Sequence, residues 1–255
     1  MPALTIPWLN SNDPFPPLSQ AVEHGLLAAG ADLSVPRLLD AYNQGIFPWF
    51  SEGDPILWWS PSPRSILRCS EFKLSKSLAK KCRQIARHES TATPILTITT
   101  NTAFLAVIQQ CAATRQQQTG TWITNDIIAA YEALHRSQHA HSIEVWQEGK
   151  LVGGLYGVQR GQFFFGESMF SLISDASKIA LHYLTRYLQQ HLHIEYIDCQ
   201  QETAHLNSLG AQTISRSQFT QLLQQYTPLQ TPPWGRGQLK ADGQLNKGCV
   251  SPTLD

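Results

Sequence analysis

The chain has 255 residues with 19 basic and 19 acidic side chains, so its formal net charge is zero. This length can bury the cores of one or two domains, and the balanced charge argues against a protein that binds nucleic acid over its whole surface. No apolar run reaches the roughly 20 residues of a membrane-spanning helix. The five scattered cysteines, without a C-x-x-C pair, predict free thiols, no metal site and a cytoplasmic protein.

Residues 1–64 predict a small N-terminal domain with an aromatic, proline-rich surface. Frequent prolines make residues 1–30 an extended, irregular lead-in. A helix follows, from the cap residue Ser34 to a stop at Gly45. The aromatic residues between positions 46 and 59 lie among prolines, which argues against a regular element there. They form either a small aromatic core or a surface on which a base or ring stacks.

Residues 65–226 predict a larger domain that contains both helices and strands. Apolar runs joined by short turns indicate an antiparallel meander between positions 142 and 169. Beyond Tyr226 the chain is rich in Pro, Gly, Gln and Asn, which predicts an extended or disordered tail over 227–255. The predicted order is strand 65–72, helix 75–88, strand 96–100, helices 102–114 and 125–136, the meander, helix 174–190, strand 195–199 and helix 217–226.

One face of the predicted helix 75–88 is basic. Lys76, Lys80, Arg83 and Arg87 are spaced four, three and four residues apart, which places them on one side of a helix. A solvated surface is the ordinary explanation of such a run of charges. This face lacks the acidic partners that a solvated helix usually carries, so we favour phosphate binding.

Two predicted strands end in polar residues. Glu167 closely follows the apolar run 163–165, and a later strand ends in Asp198, Cys199 and Gln200. Strand alternation places Asp198 and Gln200 on one face and Cys199 on the other, as a small packed hydrophobe. If the strands are neighbours, Glu167 and Asp198 meet at the rim of an apolar pocket. Glu167 then needs a partner or a raised pKa. The alternative for Glu167 is a structural ion pair, and that for Asp198 and Gln200 is a polar strand end in solvent.

An apolar set accompanies these strand ends. Side chains in such a stripe pack a core more often than they line a pocket. A methionine among them suits a pocket that accepts several apolar groups. The set comprises two leucines at helical spacing and four residues on predicted strands: Leu181, Leu184, Leu155, Phe164, Met169 and Ile197.

The order strand, turn, strand, helix, strand resembles that of the acetyltransferase-like (GNAT) fold. Enzymes of that fold bind the CoA pyrophosphate on backbone amides at a helix N-terminus, usually through a glycine-containing turn. The matching segment here, 171–178, has no glycine and carries Asp175. A CoA donor is therefore disfavoured, and another carrier must deliver the acyl group.

Several long motifs between residues 25 and 211 resemble those of the leucyl/phenylalanyl-tRNA–protein transferases. They include Gly-Ile-Phe-Pro-Trp-Phe, Leu-Val-Gly-Gly-Leu-Tyr-Gly-Val and Gly-Glu-Ser-Met-Phe-Ser. Chance does not produce so many matches in one chain. The matching segments are 45–50, 55–61, 120–124, 141–146, 151–158, 166–171, 176–178, 197–200 and 208–211.

The resemblance implies an α+β fold in which a small N-terminal domain is joined to a GNAT-like C-terminal domain, whose mostly antiparallel mixed sheet is flanked by helices. It implies an aminoacyltransferase that moves Leu, Phe or Met from aminoacyl-tRNA to the N-terminal α-amine of proteins beginning with Arg or Lys. This modification marks those proteins for degradation. No cofactor or membrane is implied, and nothing demands a second copy of the chain.

The resemblance also implies roles for individual residues. Asp198, Gln200 and Glu167 serve the transfer step as the catalytic set. Trp49 and Trp122 contact the terminal adenosine of the tRNA. The apolar set lines the aminoacyl pocket, and the basic face of helix 75–88 meets the phosphates of the acceptor stem.

We expect Asp198 to orient the acceptor amine, directly or through Gln200, because an ordinary aspartate is a poor base for an amine. We also expect Glu167 and Asp198 to favour a cationic first residue in the acceptor. Two alternatives stay open: a GNAT-type enzyme that uses CoA, and a noncatalytic protein that binds tRNA ends or N-terminal signals. Acetyl-CoA binding and a peptide-transfer assay distinguish them.

Overall fold

The computed structural model describes residues 6–116 and 121–247. Within these ranges the chain forms a small sheet, a large sheet and helices on both faces of the large sheet. The strands are β1 Trp8–Leu9, β2 Leu26–Gly30, β3 Phe47–Pro48, β4 Leu57–Trp59, β5 Arg64–Arg68, β6 Thr97–Thr100, β7 Ala140–Gln147, β8 Lys150–Arg160, β9 Phe163–Ser171, β10 Tyr196–Gln200, β11 Gln212–Ile214, β12 Gly237–Leu239 and β13 Leu245–Asn246. The helices are α1 Val35–Asn43, α2 Lys76–His88, α3 Phe104–Gln116, α4 Asn125–Arg136, α5 Ala176–Tyr187, α6 Ala204–Ser208 and α7 Arg216–Tyr226.

The small sheet lies within the N-terminal 64 residues and has the strand order β1-β2-β4-β3. Trp58 is fully buried at its centre, and the indole N–H of this residue donates to the carbonyl of Gly30 at 2.9 Å. The expectation of no regular element between 46 and 59 is wrong, because β3 and β4 form there. Pro48 is tolerated because β3 is an edge strand.

The lead-in, predicted to be irregular, also contributes to this sheet. β1 pairs in parallel with β2, although residues 1–5 of the predicted lead-in lie outside the described residues. Helix α1 follows as predicted, with the Ser34 hydroxyl accepting the N–H of Arg37. Gly45, with φ of 74°, takes the left-handed conformation that directs the chain out of the helix.

The large sheet has the strand order β11-β5-β10-β9-β8-β7-β6-β12-β13. Its pairings are antiparallel except that of β9 with β10, which run parallel. Helix α5 provides the crossover that a parallel pair requires. The predicted α+β architecture with a mostly antiparallel mixed sheet is confirmed. The adjacency of β9 and β10 brings the two polar strand ends together.

Helices cover the two faces of this sheet, as alternation along β9 shows. Phe163 and Phe165 pack with α3, α4 and α7, whereas Phe164 packs with α2 and α5. The predicted helices 75–88, 125–136 and 217–226 match α2, α4 and α7 to within one residue. In the part of the chain that the structure describes, no helix is long and apolar enough to cross a membrane.

The tail predicted to be extended or disordered is folded as far as Lys247. Strand β12 pairs with β6 and β13, so the tail completes one edge of the large sheet. Trp234 and Leu239 are buried and anchor it. The prediction is wrong because two apolar side chains are enough to anchor a polar segment when the sheet edge and core beside it are already formed. Residues 248–255 of the predicted tail lie outside the described residues.

Two β-bulges interrupt the strands beside the predicted site. In the pairing of β8 with β9, Tyr156 opposes Ser168 while Gly157 opposes Gly166, which leaves Glu167 as the extra residue. In the pairing of β10 with β5, the register shifts between Asp198 and Gln200. Each bulge bends its strand and redirects the side chains that follow it.

Candidate active site

A pocket of about 420 Å³ opens where β9 and β10 meet the small sheet. Its walls are mostly apolar, and Glu167 and Gln200 supply polar groups. The structure brings together every side chain that the resemblance assigns to the aminoacyl group and the adenosine. Those that line the pocket are Trp49, Trp122, Leu155, Phe164, Met169, Leu181, Leu184 and Ile197.

The bulge at Glu167 explains how β9 contributes two apolar side chains to one pocket. Phe164 and Met169 are separated by an odd number of positions, so a regular strand would point them to opposite faces. The extra residue between them reverses the alternation, and both side chains face the pocket. The bulge therefore builds the apolar wall and also places Glu167 at its edge.

The aromatic residues of the small sheet divide between the two roles that the sequence left open. Trp58 belongs to the core, whereas Trp49 is 38% exposed and its ring lies 5.4 Å from that of Trp59. The indole N–H of Trp59 donates to the Trp49 carbonyl at 2.6 Å, which holds the pair together. Trp122 is half-buried on another wall of the pocket, and Gly120 of its motif lies outside the described residues. The pocket mouth thus carries flat aromatic surfaces.

Glu167 is 7% exposed and makes three hydrogen bonds. The hydroxyls of Tyr42 and Tyr131 lie 2.8 and 3.0 Å from its two oxygens, and the Gln200 amide donates to it at 2.9 Å. Burial raises the pKa of Glu167 to about 7. The charge of Asp198 also raises this pKa, whereas the hydrogen bonds with the tyrosines lower it. The expectation of a partner and a raised pKa is confirmed.

Asp198 does not reach the pocket rim, contrary to the sequence-based expectation. It is fully buried, and its two oxygens accept Nε and Nη2 of Arg64 at 2.9 and 2.6 Å. The guanidinium also lies 4.9 Å from the ring of Phe47 and 4.6 Å from that of Phe219. Asp198 is thus one half of a buried bidentate ion pair. An incoming ligand has no access to its carboxylate.

Gln200 connects the two acidic residues. Its backbone N–H donates to Oδ1 of Asp198 at 2.8 Å, and its side-chain amide donates to Oε1 of Glu167 at 2.9 Å. Its φ of 62° lies in the left-handed region, which the bulge imposes. These bonds use the backbone N–H and one N–H of the side-chain amide of Gln200, a residue that also lines the pocket.

Cys199 takes no nucleophilic role in this arrangement. The side chain packs with the cluster that contains Ile197, as predicted for a small hydrophobe. The predicted alternation is wrong, because the bulge breaks it and Cys199 and Gln200 both line the pocket. Burial raises the pKa of its thiol, which keeps the group protonated. It contributes apolar surface to the pocket wall.

Sequence reasoning missed the partners of the acidic residues. Arg64 lies 134 positions before Asp198, and Tyr42 lies 125 positions before Glu167. Both come from segments that had no predicted role in the site. The only sequence signal was the expectation that a buried carboxylate needs a partner, which does not say where that partner lies.

The basic face of α2 is positioned as predicted. Lys76, Lys80, Arg83 and Arg87 are all exposed, while Leu78, Cys82 and Ile85 form the opposite, buried face of this helix. The N-terminus of α2 is capped by Ser75. The four charges therefore form a row on the surface of the layer that also contains α5.

The N-terminus of α5 carries an acid at the place where the sequence resemblance to the GNAT fold would put a pyrophosphate. The carboxylate of Asp175 pairs with Lys178 at 3.0 Å and lies 3.8 Å from Lys81. The hydrogen bond from Lys178 lowers the pKa of Asp175, so the negative charge persists at neutral pH. A phosphate group would meet this charge, which argues against CoA.

Two family models match the chain. The one described as leucyl/phenylalanyl-tRNA protein transferase matches residues 66–224, and that of the N-terminal domain of the same family matches residues 31–62. Among solved structures, L-PGS from Bacillus licheniformis has 12% identity and a TM-score of 0.35, covering 83% of this chain and 66% of its own. That similarity is too weak to carry an argument.

Curated relatives extend over nearly the whole chain. The leucyl/phenylalanyl-tRNA–protein transferase of Bordetella petrii is 51% identical, over 98% of this chain and 100% of its own. The enzyme of the same name from Nitrosospira multiformis is 53% identical, over 86% of this chain and 91% of its own. The chain therefore belongs to the leucyl/phenylalanyl-tRNA–protein transferase family and is an enzyme with that activity.

Proposed function

We propose that this enzyme transfers Leu, Phe or Met from tRNA to the α-amine of proteins that begin with Arg or Lys and so marks them for degradation. It does so as a cytoplasmic monomer, without a cofactor. Residues 1–64 form its N-terminal domain, 65–226 a GNAT-like transfer domain and 227–255 a tail. The observation that carries the proposal is one apolar pocket with a fixed amide, that of Gln200, at its edge.

The pocket suits the side chains of the proposed donors. Its volume of about 420 Å³ lies within the range of small-molecule sites, and its apolar lining favours side chains without charge. Leu181, Leu184 and Ile197 give it a rigid wall, because each is almost fully buried. Met169 is less buried and adapts to donors of different shape.

The tRNA would approach across two surfaces. Trp49 and Trp122 offer aromatic faces at the pocket, on which the terminal adenine can stack. The exposed basic face of α2 supplies charges for phosphates of the acceptor stem. Together these surfaces hold the ester bond of the donor near Gln200 while the rest of the tRNA lies outside the protein.

The transfer exchanges an ester for an amide. The neutral α-amine attacks the ester carbonyl carbon, the bond to the ribose oxygen breaks, and the amine gives up a proton as that oxygen gains one. An α-amine has a pKa of roughly 7.7–8.0, so an appreciable share is neutral at physiological pH without a strong base. The enzyme then acts mainly by holding the two reactants in line, which is worth several kcal/mol.

Gln200 is the residue that orients the amine. Its side-chain carbonyl accepts an N–H of the amine and leaves the nitrogen lone pair directed at the ester. Asp198 acts through Gln200 rather than on the substrate, because it holds the backbone of that residue from a buried position. The hypothesis that Asp198 binds a cationic first residue loses its support, since Arg64 already neutralises this carboxylate.

The direct test is incubation with Leu-tRNA and a peptide that begins with Arg, followed by mass measurement of the product. A mass increase of one leucine residue is expected. A matched peptide that begins with Ala, and the Arg peptide with an acetylated N-terminus, serve as controls that stay unmodified. Leucine addition to the Ala peptide at the same rate would refute the acceptor preference. In a parallel reaction with acetyl-CoA in place of Leu-tRNA, acetylation of the Arg peptide would favour a GNAT-type activity.

A further inference from the structure

Three buried oxygen-bearing groups meet beside the pocket. Tyr42 comes from α1 of the N-terminal domain, Tyr131 from α4 and Glu167 from the bulge of β9. Each tyrosine hydroxyl lies within hydrogen-bond distance of one Glu167 oxygen, and the two hydroxyls are also in hydrogen-bond contact with each other. The three groups therefore form a closed triangle of contacts.

The number of hydrogens decides the state of this triangle. The two tyrosines supply two O–H hydrogens, but there are three oxygen–oxygen contacts. If Glu167 is ionised, one contact brings two oxygens together with no hydrogen between them. If Glu167 is protonated, it donates to Tyr131, Tyr131 donates to Tyr42, and Tyr42 donates back to the second Glu167 oxygen. Only the protonated form satisfies every contact.

Among the charged groups around Glu167, Asp198 favours the protonated state because its charge raises the pKa of Glu167, and Arg64 acts against it. Arg64 on β5 is engaged by Asp198 of β10, and Arg115 on α3 donates to Ser168 rather than to Glu167. Tyr156 on β8 is fully buried and neutral, since burial raises the pKa of its hydroxyl. No described cation makes a hydrogen bond to Glu167. Burial, which raises the pKa of this carboxyl, acts in the same direction as the hydrogen count.

We infer that Glu167 rests as a neutral carboxylic acid in a ring of three O–H···O hydrogen bonds with Tyr42 and Tyr131, and that these three residues position Gln200. The inference rests on the proposed role of Gln200. The oxygen that accepts from Tyr42 also accepts from the Gln200 amide, so the ring fixes which way that amide points. With its NH₂ group held by Glu167, the side-chain carbonyl of Gln200 is the group proposed to accept the N–H of the amine.

A neutral Glu167 also favours the reactive form of the acceptor. An ionised carboxylate at this place would raise the pKa of a nearby amine and retain it as the unreactive ammonium ion. A neutral acid leaves the amine free to lose its proton. Because Tyr42 belongs to the N-terminal domain, the ring also makes the orientation of Gln200 depend on the packing of the two domains.

Two substitutions separate a neutral acid from a functional anion. Glu167→Gln keeps the shape of the neutral acid: its carbonyl accepts from Tyr42 and its NH₂ donates to Tyr131. Glu167→Asp keeps a carboxyl group that can ionise but is one carbon too short to close the ring. We expect the Gln variant to transfer leucine at least about tenfold faster than the Asp variant, the value of one hydrogen bond. A faster Asp variant would overturn the inference.

The tyrosines provide a second readout. Tyr131→Phe removes one O–H from the ring, and we expect it to lower kcat by about tenfold while KM for aminoacyl-tRNA stays within about twofold. Tyr183→Phe is the matched control, because Tyr183 is also buried but lies outside the pocket and the ring. Equal effects of the two substitutions, or a change in KM alone, would contradict a positioning role.

The protonation state can be measured without any substrate. Because the folded pKa of Glu167 lies above its unfolded value, its contribution to stability is fully present below the unfolded pKa and is lost as pH rises through about 7. As pH rises from the unfolded pKa to about 7, the free energy of unfolding of the wild type should therefore fall relative to that of Glu167→Gln. Infrared spectra of the wild type should also show a protonated carboxyl band that the Gln variant lacks. Parallel stability curves and no such band would overturn the inference, whatever the outcome of the transfer assay.

Discussion

Asp198 is the residue whose role changes most between sequence and structure. A carboxylate at a strand end beside a pocket suggests a group that touches the substrate, yet this one is fully buried against Arg64. Burying two charges costs several kcal/mol for each, and the cost is offset only while both partners remain. The pair therefore acts as a scaffold for Gln200, whose backbone N–H it binds.

Asp198→Asn should consequently be a stability mutation before it is a catalytic one. The substitution leaves the Arg64 guanidinium buried without its counter-charge, and we expect the free energy of unfolding to fall by about 3–5 kcal/mol. Equilibrium urea unfolding measures this loss. The double variant Arg64→Met with Asp198→Asn is the control and should recover part of the loss, because it removes the unpaired charge. A stable single variant would contradict the scaffold role.

At the scale of elements, the sequence predicts helices and strands well and their irregularities poorly. The periodicity of α2, α4 and α7 and the alternation of β7 to β9 follow from local pattern, which the chain carries in each segment. The bulges at Glu167 and Cys199 do not, because an extra residue is recognisable only against the partner strand. Since these bulges shape the pocket, the least predictable backbone lies at the functional site.

The partners of the site are unpredictable for the same reason. A buried Glu167 needs hydrogen-bond partners, but the sequence does not show that they are Tyr42 and Tyr131. That depends on how α1 and α4 pack, which no local pattern states. The sequence correctly placed Asp198 near the end of a strand beside Glu167. It wrongly placed its carboxylate at the pocket rim, whereas the carboxylate is buried against Arg64. The resemblance to a family named the apolar residues that line the pocket. The hydrogen bonds of Glu167 behind them are visible only in the folded structure.

Helix α2 carries the prediction that belongs to this scale. Reversing Lys80 and Arg83 to Glu should raise KM for aminoacyl-tRNA by about tenfold. In a plot of log KM against log salt concentration, the slope should fall by about 1–2. The reason is the loss of phosphate contacts, so KM for the peptide should not change. Initial rates over a salt series measure both effects.

The control for this prediction lies on the opposite helix layer. Arg136 on α4 is exposed, and Arg136→Glu changes the net charge in the same direction without touching α2. It should leave KM for aminoacyl-tRNA within about twofold, because long-range charge effects at that distance are screened. If reversal at Arg136 and on α2 raised KM equally, overall charge rather than the basic face would attract the tRNA.

At the scale of the whole molecule, the segment after α7 closes the large sheet. The family model ends at residue 224, yet the chain continues to β12 and β13 at the edge beside β6. Trp234 joins this segment to the core: its ring stacks on His141 and contacts Phe164, which also lines the pocket. The tail is thus packed behind the wall of the pocket that contains Phe164.

Trp234→Ala should therefore destabilise the protein and loosen the pocket together. The substitution removes a buried aromatic ring and its hydrogen bond to the Thr100 hydroxyl at 2.7 Å, and we expect a loss of about 3–5 kcal/mol in unfolding free energy. Trp8→Ala is the matched control, because Trp8 is 66% exposed and should cost less than about 1 kcal/mol. Equilibrium denaturation compares the two. Because Phe164 loses its support, KM for Phe-tRNA should also rise in the Trp234 variant at temperatures where this variant remains folded. Equal stability of the two variants would show that the tail is not part of the folded core.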